Sequence, residues 1–70
     1  MNSDQRTKAI DNLINTSVDD CRITLGNYSD PTLLCELLIR CHDMNHGSRE
    51  QVVRRRIAQL IKKEKRKFNG

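Results

Sequence analysis

The chain is 70 residues long, 31% charged and 36% hydrophobic, with formal net charge +4, three cysteines, one Phe, one Tyr and no Trp. That length limits it to one domain, and a chain so short buries only about 60% of its unfolded surface. With aromatics nearly absent, the core must be aliphatic, built from Leu, Ile and Val, and a marginal core of that kind suits a homodimer or another partner. No apolar run approaches the roughly 18 to 20 residues of a membrane span. The opening Met1-Asn-Ser-Asp is polar, unlike the apolar stretch of a signal peptide. Three cysteines without framework spacing point to reduced thiols, and the expected location is cytoplasmic.

The pattern predicts an all-α chain, a small three-helix bundle or orthogonal three-helix array, with helices at about 4–25, 30–45 and 48–67. In the first, Ile10, Ile14, Val18, Cys21 and Leu25 recur at helical spacing, with Leu13 at the edge of that arc. Gly26 is placed to end it as a left-handed cap. Asn15-Thr16-Ser17 is weak helix material, and Ser17 with Asp20 offers an alternative N-cap, so the expectation is one helix with a kink near Ser17.

The second helix has Asp30 as N-cap and Pro31 at its first position. Leu33, Leu34, Leu37, Leu38, Cys41 and Met44 give it a broad apolar face, and Cys35, Ile39, His42 and His46 align on another side. A helix with two semi-apolar sides is central or sits at an interface; Leu34 and Ile39 are the interface candidates. In the third helix Ser48 and Gln51 have capping-box spacing, followed by a seam of Val53, Ile57, Leu60, Ile61 and Phe68. No strand alternation, internal repeat or low-complexity linker is present, and only Met1–Ser3 and Asn69-Gly70 read as loose ends.

Charge is segregated along this plan. Residues 1–47 carry four basic and seven acidic side chains, net −3; residues 48–70 carry nine basic and two acidic, net +7. Such a split implies either an anionic partner or pairing between the two segments. On a helical projection Arg55, Lys62 and Arg66 form a ridge opposite the Val53 seam, flanked by Arg56, Lys63 and Lys67. From Arg55 to Lys67 the ridge spans about 18 Å. With Arg54 added, these seven side chains are the candidates for meeting nucleic-acid phosphates, DNA or RNA, in a salt-dependent and largely sequence-independent way. The missing aromatics argue against single-strand base stacking.

Other chemistries find less support. Gly47-Ser48 followed by Val52-Val53 superficially resembles the turn and recognition helix of helix-turn-helix proteins, but His42 or Asp43 falls where a small residue belongs and Arg55 or Arg56 where an apolar one does, so that family is not assigned. Cys35, His42 and His46 share a face, yet no Cys-x-x-Cys pair or knuckle spacing marks a metal site. Asp19 and Asp20 diverge by about 100° on a helix, and no catalytic motif or Gly-rich phosphate loop occurs. The narrow seam suits core packing better than lipid insertion. The sequence therefore points to a non-enzymatic regulatory or accessory protein, with no cofactor and no metal, that binds nucleic acid through its basic C-terminal helix. The competing reading is a protein-interaction module, an adaptor, inhibitor or assembly factor, whose basic helix meets an acidic protein surface.

Overall fold

The computed structural model describes residues 2–69 of the chain, and the side chains of residues 2–63. The fold is an all-α bundle, with four helices among the described residues: α1 Ser3–Asn15, α2 Val18–Leu25, α3 Pro31–Asp43 and α4 Gly47–Asn69. The first predicted helix is thus two. Thr16 leaves the helical region at ψ 171°, and Ser17, also extended, accepts the Asp20 N–H at 3.1 Å to start α2. A local cap outcompetes helix continuation here because Asn15, Thr16 and Ser17 lose little by leaving the helix. The apolar phase still carries across the break, which is why it reads as unbroken in sequence. From Asn2 onward the start of α1 is capped: Asn2 accepts the Gln5 N–H at 2.8 Å while its own N–H donates to the Gln5 side chain, a complete capping box.

One glycine expectation changes. Gly26 is right-handed, at φ −59°, and the left-handed residue is Asn45, at φ 58°. Around Asn45 the His46 N–H reaches the Cys41 carbonyl at 2.8 Å and the Asn45 N–H reaches that of His42 at 3.2 Å. These are the paired bonds of a Schellman motif, with Asn in the glycine position. This turn brings the start of α4 forward: the His46 carbonyl accepts the Glu50 N–H at 2.9 Å, so Ser48 lies inside the first turn and does not cap it. Asp30 and Pro31 act as expected, the Asp30 carboxylate accepting the Thr32 N–H at 3.0 Å.

The helices close a ring: α1 touches α2 and α3, and α4 touches α2 and α3. Arg6 pairs with Glu36 at 3.2 Å and Asp11 with Arg40 at 3.1 Å, so α1 and α3 advance in the same direction. α4 folds back along α3, with His42 against Glu50 near the turn and Pro31 beside Ile61 at the other end of one shared groove. That is an antiparallel helical hairpin. The core comprises Ile10, Leu13, Ile14, Cys21, Leu25, Leu33, Leu34, Leu37, Cys41 and Val53. Leu13, expected only at the edge of the arc, belongs in it fully, at 1% exposed.

α3 supplies four of those ten side chains, yet it is not covered on both sides: Cys35, Ile39 and His42 face solvent. α4, at 23 residues against 13 for α3, outruns its neighbour. The groove shared with α3 reaches Lys63, and α4 continues to Asn69, six residues or about 9 Å of helix further. The seam consequently loses cover as it proceeds. Val53 is fully buried, Ile57 and Leu60 are half-buried, and Ile61 is 49% exposed. Phe68 lies outside the residues whose side chains are described. The radius of gyration, 12.3 Å, exceeds the roughly 11 Å typical of a compact chain of this length, in keeping with the overhang.

Candidate nucleic-acid interface

The seven cations proposed from the sequence divide once their surroundings are known. Arg55, Lys62 and Lys63 are exposed. Among the described residues, no ion pair or side-chain hydrogen bond engages any of the three. Arg54 is exposed but its Nε lies 3.5 Å from the Glu50 carboxylate, one turn back. Arg56 is half-buried and committed to the fold: its Nε donates to the Tyr28 carbonyl at 3.2 Å, and Nη2 donates to the carbonyls of Tyr28 at 3.0 Å and Gly26 at 3.3 Å. Its assignment to a solvent-facing phosphate ridge is therefore corrected. Lying about 60° from Val53 around the helix, it flanks the seam, where α2 and the following loop arrive. Arg66 and Lys67 lie outside the residues whose side chains are described.

A second arginine, not among the sequence candidates, performs a similar structural role. Arg49 donates through Nη2 to the Thr16 carbonyl, joining the first turn of α4 to the α1–α2 break. The available signal was its spacing, since a residue four positions before Val53 shares the buried face. Beside it, Glu50 is well shielded and holds Arg54 with one oxygen and the His42 ring at 2.9 Å with the other, closing the hairpin. The basic C-terminal segment thus spends part of its charge internally, and Arg55, Lys62 and Lys63 are the described cations left to face a partner.

The thiols separate in the same manner. Cys21 and Cys41 are free and buried, and Cys35 is free and exposed. Burial pushes the Cys21 thiol up, Cys41 adds to the rise, and the Arg49 guanidinium opposes it. Burial likewise raises Cys41, with Arg49 pulling down and Glu50 pushing up. These are conditions for inert, protonated core thiols. Among the described residues no three His, Cys, Asp or Glu side chains converge as a metal set would, and no helix is long and apolar enough to cross a membrane.

Of the two interface candidates, Ile39 is 61% exposed, whereas Leu34, at 1%, belongs to the core. Leu34 is turned toward α4, where it floors an open groove of about 430 Å³ together with Ile57, Leu60 and Ile61, with Cys35 and Pro31 on the α3 side. A smaller notch of about 340 Å³ opens on the other flank of α4, where Arg22, Arg55, Arg56 and Gln59 meet over Leu25 and Val52. No protein-family model, curated protein or solved structure matches this chain.

Proposed function

We propose that this protein is a small non-enzymatic regulatory or accessory factor that binds the phosphate backbone of nucleic acid through α4, working in the cytoplasm. The observation that carries this reading is the exposure of Arg55, Lys62 and Lys63 without acidic partners among the described residues, on a helix anchored by Val53. Arg66 and Lys67 extend the same charge along the helix in sequence. Anchoring on one side presents Arg55 and Lys62 on the other, with Lys63 at the edge of the apolar groove, and releasing counterions from phosphates supplies the affinity. Their role is attraction and register, not base reading.

A salt-resolved titration against mixed-sequence duplex DNA and RNA tests this. Affinity should fall steeply with salt, and undetectable binding at low salt overturns the reading. Exchanging Arg55 and Lys62 together for Glu should lower affinity by about tenfold or more and flatten the logarithmic salt dependence by about two. The helical circular dichroism should persist, since both side chains are exposed.

A second reading has its own support. Ile39 is exposed and an apolar groove lies between α3 and α4, features suited to a protein interface, either a homodimer or an acidic partner. An acidic protein that competes with nucleic acid for α4, or binds where nucleic acid does not, would favour it.

A further inference from the structure

We infer that the notch between α2 and α4 is a phosphate-binding subsite, and that the nucleic-acid surface therefore spans two helices. This inference rests on the functional reading above and names where a backbone phosphate would seat. Arg22, at the end of α2, and Arg55 and Gln59, one turn apart on α4, border the notch, with Leu25 and Val52 beneath them.

Arg56 makes this a built site and not only a meeting of mobile side chains. Its Nε and Nη2 are fixed on the Tyr28 and Gly26 carbonyls, while Nη1 has no partner among the described residues. A guanidinium held by its fold contacts presents its remaining N–H donors at little entropic cost. The same bonds engage the carbonyls of Gly26, the C-cap of α2, and of Tyr28 in the loop beyond it, which would otherwise repel an anion. Arg22 is only loosely held by Asp19, at 3.7 Å with both groups largely exposed, so an incoming phosphate can recruit it. Three guanidinium groups and one amide then surround a single phosphodiester, and the Lys62 side of α4 leads the strand onward.

The test uses the full chain and the salt-resolved titration, on duplex DNA and RNA of matched length. Arg22→Gln removes the α2 donor, and Gln59→Glu places a carboxylate in the notch without removing a cation. Each should weaken binding by about tenfold or more, and Arg22→Gln should reduce the salt slope by about one. Retained helical circular dichroism and melting temperature show that both variants fold. If wild type binds and loses affinity on exchange of Arg55 and Lys62 while both notch variants bind as wild type does, the subsite is overturned and the α4 ridge acts alone. If wild type binds neither nucleic acid at low salt, the functional reading itself fails and the subsite with it.

Discussion

Arg56 and Arg49 are the residues whose roles depend most on their surroundings. Both lie in a basic segment, yet Arg56 joins α4 to the loop after α2, and Arg49 joins it to the α1–α2 break. Hydrogen bonds from a charged donor contribute about 1.5–3 kcal/mol each, and half-burial moderates that here. Arg56→Ala should therefore cost about 1–3 kcal/mol in urea unfolding, and Arg56→Lys should recover little, because one ammonium cannot reproduce the fork. Loss of stability no greater than that of Arg55→Ala would contradict this role. The cysteines give a pH prediction. Folding raises Cys21 and Cys41 above the ordinary thiol value of 9.0, so the folded state favours the protonated form. Their contribution to stability is complete below that value and is lost as pH rises through the higher folded values. Unfolding midpoints should fall as pH rises above 9.0, and less so when both residues are Ala. In native protein a thiol reagent should label Cys35 first, with the other two reacting only at the rate of unfolding.

Element boundaries were decided by competition between local caps and helix continuation. Asp30-Pro31 is a one-way signal, since proline cannot extend a helix backward, and it was legible directly. Ser17 was ambiguous because the same apolar spacing runs through both helices, and its cap on the Asp20 N–H marks where the structure breaks it. Ser17→Ala should cost about 1 kcal/mol. At the α3–α4 turn the left-handed residue is Asn45. Asn45→Gly should hold or raise stability, while Asn45→Ala should lower it by about 1 kcal/mol. Gly47 is helical, and a β-carbon there would meet nothing within 4 Å. Gly47→Ala should therefore stabilise by about 0.4–1 kcal/mol, and thermal melts of these variants check the assignment.

At the scale of the molecule, α4 lies across α2 and α3 and extends past the start of α3. The acidic half is itself partly engaged: Asp11 and Glu36 pair with Arg40 and Arg6, stitching α1 to α3 rather than neutralising α4. That arrangement leaves exposed cations on one side and Ile39 on another. Ile39→Asp should leave the monomer melting temperature nearly unchanged, because a solvent-facing substitution changes stability by about 0.5 kcal/mol or less. It should abolish any concentration-dependent sedimentation of the wild type. Unchanged self-association in that variant would count against a dimer through this face.

The all-α class, the aliphatic core and the apolar seam of α4 through Val53 were determined by the sequence alone. They depend on residue type and a period of 3.6, which are local properties. The number of helices, the burial of Leu34 and Leu13, and the division of the arginines into structural and exposed groups were decided only by tertiary structure. Spacing places a side chain on a face of its helix; what that face meets depends on where the other helices lie. Arg55 and Arg56 are adjacent in sequence, but only the position of α2 gives one to the solvent and ties the other to carbonyls of the fold.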